Sequence, residues 1–129
     1  MLDTFILIIL QTKNRSHLLN LGLIVDDMID TAGTLCKAAT ELKEMGARRV
    51  YAFATHGVFS GPAPTNIKNS ELEKILITNT IPLSQEFINT VPKDKYAHIS
   101  MGTFIAETIR RIYHRESVSG MFEKGNYRL

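Results

Sequence analysis

The chain has 129 residues, about one domain's worth, and a domain of this size buries roughly two thirds of its unfolded surface without needing disulfides. Hydrophobic residues make up 44% and charged residues 22%, and the formal net charge of +2 is too small to mark a nucleic-acid or anionic-membrane binder. The single cysteine, Cys36, excludes an internal disulfide and fits a reducing, cytoplasmic setting.

The first apolar run, Phe5 to Leu10, is far shorter than the roughly 20 residues that cross a bilayer. A secretory signal is also disfavoured, because Asp3 stands where a basic segment would and no small-residue cleavage site follows. The run reads as a short buried strand or an amphipathic lead-in. "LGLIVDD", from Leu21, is a continuous aliphatic run without alternation, as in a parallel strand covered on both faces, and acids end it. Next, Leu35, Ala38, Ala39, Leu42 and Met45 fall on one helical face, with Thr34 as N-cap and Gly46 as the stop. "RRVYAFAT" reads as a second strand with Val50, Ala52 and Ala54 on one side and Tyr51 and Phe53 on the other.

"HGVFSGPAPTN" reads as loop, from its two glycines and two prolines. "KILITNTIP" is a third short strand turning at Pro82, and "YAHIS" a fourth. The last helix carries Met101, Phe104, Ile105, Ile109 and Ile112 as an apolar stripe, with Arg110, Arg111, His114 and Arg115 crowding its C-terminal end. The expected fold class is α/β, a mainly parallel sheet flanked by helices.

In such sheets ligands bind beyond the carboxyl ends of the strands. Asp26 and Asp27 belong at such an end, pointing to opposite faces. The turn Asp30, Thr31, Ala32, Gly33, Thr34 then leads into a helix, and its amides and hydroxyls suit an anion, most naturally a phosphate monoester. Three carboxylates beside a phosphate repel it unless the two groups occupy separate subsites. Loop amides then take the phosphate, while the acids take neutral hydroxyls or a hard cation such as Mg²⁺. That combination describes a sugar phosphate. His56 reads as a loop anchor bonded to backbone, and Cys36 as a packed small residue.

"VDDMIDTAGT" resembles the phosphoribosyl pyrophosphate loop of type I phosphoribosyltransferases and of ribose-phosphate pyrophosphokinase. "RVYAFATHGVFSGPA", "TNTIP" and "AETIRRIYHRESVSGMF" also resemble the C-terminal part of the latter family, phosphoribosyl pyrophosphate synthetase. The resemblance covers residues 23–123, leaving a divergent N-terminal segment at 1–22 and a tail at 124–129. It implies an incomplete, type I phosphoribosyltransferase-like fold. It further implies transfer of the diphosphoryl group of ATP to ribose 5-phosphate with Mg²⁺, in nucleotide biosynthesis.

By the same resemblance, Asp26 and Asp27 lie near the ribose hydroxyls, and Asp30, Thr31, Ala32, Gly33 and Thr34 cradle the 5-phosphate. The backbone N–H of Ala32 is then the useful group and its methyl incidental. Ser117 and Ser119 match tail serines that line a regulatory phosphate site in some members. No residue of the chain takes a catalytic role, and metal ligands stay unassigned. ATP is a partner of the full-length enzyme, whose ATP-handling half has no counterpart in this sequence, so the chain alone is expected to be inactive. Association with copies of itself or with synthetase subunits is expected, and partnership with nucleic acid or membrane is not. The alternatives are a non-catalytic regulatory subunit associated with synthetases, or a small phosphoribosyltransferase.

Overall fold

A computed structural model describes residues 6–10 and 21–122, with side chains from Leu21 onward. Strand β1 (Ile6–Leu10) realises the strand reading of the first apolar run. It pairs antiparallel with β2 (Leu21–Ile29). The rest of the 1–20 segment and the 124–129 tail lie outside the described residues. Two units make up the chain, Met1–Ile99 and Ser100–Leu129.

In the first unit, β3 (Arg49–Gly57), β4 (Lys74–Thr78) and β5 (Tyr96–Ile99) extend the sheet in the order β1-β2-β3-β4-β5. The β2–β3, β3–β4 and β4–β5 pairs are all parallel. Each crossover is a helix, α1 (Gly33–Glu44), α2 (Ala63–Lys68) or α3 (Gln85–Thr90). The α/β reading therefore holds, with an antiparallel edge strand added to it.

Register decides which side chains meet the helices. Ile24, Ala52 and Ile75 lie abreast, as do Asp26, Ala54 and Ile77. On this face Ile24, Val50, Ala52, Ala54, Ile75 and Ile77 are buried with Leu35, Ala39 and Leu42 of α1, Ile67 of α2 and Phe87 of α3. Full burial of a large aliphatic or aromatic side chain stabilises by about 1.5–3 kcal/mol, so this layer carries the unit. Gly22 lies under α1, and a Cβ there would stand 2.9 Å from Leu42 Cδ1, so that the buried Leu42 side chain would have to shift. On the other face Leu23, Val25, Tyr51, Phe53 and Leu76 are only partly buried.

Several boundaries differ from the expectation. β2 runs through the acids to Ile29 instead of ending at them. Thr34 is not the N-cap of α1; Ala32 takes that position, in left-handed backbone at φ 60°, without a side-chain cap. Met45 leaves the apolar face and is 69% exposed, because the helix is ending there. Gly46, at φ 97°, does supply the stop. "HGVFSGPAPTN" is not all loop. β3 extends to Gly57, and α2 begins at Ala63, with prolines only at its N-terminal end, where the missing N–H costs nothing. The third strand ends at Thr78, and α3 follows, its N-cap Ser84 accepting from the Phe87 N–H at 3.1 Å.

In the second unit, α4 (Gly102–Tyr113) realises the predicted last helix, with Met101 as its N-cap. Its stripe is not buried: Ile105, Ile109 and Ile112 are each more than half exposed. A short 3₁₀ turn, Ser119–Phe122, follows and brings Phe122 to 6.0 Å from Phe104 between ring centres.

Candidate functional site

The carboxyl end of β2 and the turn into α1 form a cleft of about 310 Å³, lined by residues 26–35 in one unbroken stretch. All seven predicted residues, Asp26, Asp27, Asp30, Thr31, Ala32, Gly33 and Thr34, stand on it. Asp26 is partly buried and Asp27 exposed, and Asp26 Oδ1 accepts from the Asp27 backbone N–H at 2.8 Å. Burial pushes the Asp26 carboxyl above the ordinary carboxylate value. The neighbouring Asp27 carboxyl adds to this, while bonds from the Asp27 and Met28 amides oppose it.

The turn itself divides its work unexpectedly. Ala32, not Gly33, carries the left-handed backbone, and its methyl is buried in the core rather than incidental. Gly33 has no positive φ, and a Cβ placed there meets nothing within 4 Å. The glycine thus leaves open space beside the first turn of α1, whose N–H groups have no acceptor within the helix.

A second segment, read from the sequence only as loop, grips this turn. Val58 N–H and Phe59 N–H both donate to the Ile29 carbonyl at 3.0 Å, and Ser60 N–H donates to the Asp30 carbonyl at 3.1 Å. The Ser60 hydroxyl donates to Asp30 Oδ1. Asn66 Nδ2 donates to the Thr31 carbonyl at 3.0 Å. Phe59 is in left-handed backbone at φ 51°; its ring is buried and stacks on Phe87 at 4.2 Å. Gly57 makes room for that ring, since a Cβ there would lie 2.4 Å from it. Part of the segment lies in "RVYAFATHGVFSGPA", one of the stretches that carry the family resemblance, but nothing in the sequence pairs Ser60 or Asn66 with the acidic turn.

His56 is an anchor, but to a side chain and not to backbone: its Nδ1 lies 2.8 Å from Thr80 Oγ1, which in turn donates to the Thr55 carbonyl at 3.2 Å. Cys36 is half-buried against the core, and burial pushes its thiol up against the opposing effects of the Ser70 hydroxyl and the Lys95 ammonium, so a packed thiol is what the fold holds. Ser117 and Ser119 are exposed, in the segment after α4. Two of the nearby arginines, Arg110 and Arg111, are engaged. Arg110 donates to Glu107 and to Glu116 through paired bonds of 2.7–3.0 Å, and Arg111 donates to Glu107 and to the Ser117 carbonyl. Bonds from Arg110 and Arg111 hold the Glu107 carboxyl down to about 2.

Fold and cleft together define an α/β domain whose parallel sheet ends in an acidic turn and a helix N-terminus. The chain belongs to the phosphoribosyl synthetase-associated domain family, whose model matches residues 19–123. It is 56% identical over 99 residues to a ribose-phosphate pyrophosphokinase of Vibrio cholerae, covering 77% of this chain and 31% of that protein. It is 53% identical over 100 residues to the enzyme of that name from Shewanella oneidensis, covering 78% and 31%. Its structure is similar to the crystal structure of phosphoribosylpyrophosphate synthetase from Mycobacterium smegmatis, at 33% identity and a TM-score of 0.67, over 74% of this chain and 31% of that one. The resemblance read from the motifs is thus borne out, and the chain spans about a third of the length of the curated relatives it matches.

Proposed function

We propose that this chain is the ribose 5-phosphate- and phosphoribosyl pyrophosphate-binding part of a ribose-phosphate pyrophosphokinase, the enzyme that transfers a diphosphoryl group from ATP to ribose 5-phosphate in nucleotide biosynthesis. The carrying observation is that all seven residues of the acidic turn line one cleft, in a chain 56% identical to a protein of that name. Asp26 and Asp27 accept hydrogen bonds from the ribose hydroxyls. The amides of Thr31 to Thr34 take the 5-phosphate, helped by the first turn of α1. Asp30 is kept from opposing that anion by giving one carboxylate oxygen to Ser60.

The donor set fits Mg²⁺, which binds through one or two carboxylates completed by water and substrate oxygens. Asp26 and Asp27 would hold it; no cluster of three or more metal-ligating side chains is present among the described residues. When bound, the ion neutralises charge on phosphate oxygens. ATP is handled by parts of the relatives that this chain does not span, and the chain associates with copies of itself or with synthetase subunits. Among the described residues, no helix is long and apolar enough to cross a membrane.

A non-catalytic synthetase-associated subunit is the second reading, drawn from the matching family's description. The unbroken "VDDMIDTAGT" favours the first. Calorimetric titration with ribose 5-phosphate tests the proposal. Binding is expected, and Asp26→Asn should weaken it about tenfold, the equivalent of about 1.4 kcal/mol. A titration showing no heat of binding for the unaltered chain, at any ligand concentration up to the millimolar range, refutes it.

A further inference from the structure

The connector between β3 and α2, together with α2 itself, makes more bonds to the acidic turn than a passing loop needs. Three consecutive carbonyls, those of Ile29, Asp30 and Thr31, are gripped in order by the Val58 and Phe59 amides, the Ser60 amide and the Asn66 side chain. A trans peptide is planar, and its C=O and N–H point in opposite directions. Gripping those carbonyls therefore turns the N–H groups of Asp30 and Thr31 away from the connector, and that of Ala32 away from α2. Successive amides directed to one side form an anion-binding concavity. The left-handed backbone at Ala32 continues the same turn into the first turn of α1.

We infer that Ser60 and Asn66 are positioning residues for the phosphate-binding amides. Neither needs to touch the ligand. Ser60 acts through the Asp30 carboxylate and carbonyl, and Asn66 acts through the Thr31 carbonyl. The placement of Ser60 is itself built in: the residue before it, Phe59, is in left-handed backbone with its ring buried and stacked on Phe87. The inference rests on the sugar-phosphate reading for its ligand, but not for its geometry.

Two measurements test it on the full 129-residue chain. The first is amide hydrogen exchange without ligand. Ser60→Ala and Asn66→Ala should each speed exchange at Val58, Phe59 and Cys36 about tenfold, while the β4 amides keep wild-type rates. The second is titration with ribose 5-phosphate, where each variant should bind about tenfold more weakly. Conservative changes separate hydrogen bonding from bulk. Ser60→Thr keeps the hydroxyl and should restore both readouts. Asn66→Asp keeps the shape but loses the donor, and should fare no better than Asn66→Ala. Unchanged exchange in Ser60→Ala and Asn66→Ala overturns the inference, as does wild-type affinity in those two variants or in Asn66→Asp. If the unaltered chain does not bind ribose 5-phosphate, the proposed function falls and the exchange data alone decide the clamp.

Discussion

At the residue scale, burial governs the protonation of the acidic stretch, and Asp26 shows the sign. Its carboxyl is held above the unfolded value, chiefly by burial, so the folded state binds that proton more tightly than the unfolded state. The charged form is therefore penalised at pH values above both constants, and the penalty fades as pH falls through the folded value. Asp26→Asn should raise the melting temperature at pH 7 and leave it near wild type at pH 3, while weakening ribose 5-phosphate binding; a lower melting temperature at pH 7 contradicts this. Gly33 behaves differently. It has no positive φ and faces open space, so Gly33→Val should change stability by no more than about 1 kcal/mol in chemical denaturation. The same variant should bind ribose 5-phosphate at least about tenfold more weakly, because the new side chain fills ligand space. That Asp26 to Thr34 line one cleft was legible in the sequence because the end of β2 and the following turn carry them in one unbroken stretch. Ser60 and Asn66 were not, because their partners lie about thirty residues away and only tertiary folding brings them together. The backbone role of Ala32 was hidden for another reason: a glycine stood next to it, and glycine is the usual bearer of left-handed backbone.

At the element scale, long elements were readable and short ones were not. The parallel strands and α1 declare themselves by aliphatic runs and helical spacing. The six-residue α2 and α3 are too short for a period to emerge, and tertiary bonds hold them instead. Lys95 is the main such bond for α2. Its ammonium donates to the carbonyls of Ile67, Lys68 and Ser70 at 3.1, 3.1 and 2.8 Å, at the C-terminal end of the helix, where a positive charge is favoured. Lys95→Met keeps the stem and removes the donor. It should cost about 2 kcal/mol in urea unfolding, the scale of charged hydrogen bonds lost from partly buried carbonyls. A cost indistinguishable from zero means that water replaces Lys95 without loss. The α4 stripe was equally readable as a pattern, yet periodicity reports only that a face is apolar, not what covers it.

At the scale of the whole molecule, the helices described in the first unit all pack on one face of its sheet. Parallel sheets are ordinarily buried on both faces, and Leu23, Val25, Tyr51, Phe53 and Leu76 form an apolar layer opposite α1 to α3. The curated relatives are about three times the matched length, so the relatives carry much more chain around this domain. The same ratio bears on chemistry. Phosphoryl transfer depends on positioning and on cations arrayed around the moving phosphates. The cleft described here presents carboxylates and backbone amides, groups suited to holding a sugar phosphate, while the side chains of Arg110 and Arg111 are engaged with Glu107 and Glu116. The 129-residue chain should therefore bind ribose 5-phosphate without converting it. A coupled assay with ATP, Mg²⁺ and ribose 5-phosphate should show no turnover above a heat-killed control, in the same preparation that binds the sugar phosphate by calorimetry. Turnover abolished by Asp26→Asn would instead place the whole reaction within these residues, and would require cationic groups from within this chain to reach the cleft.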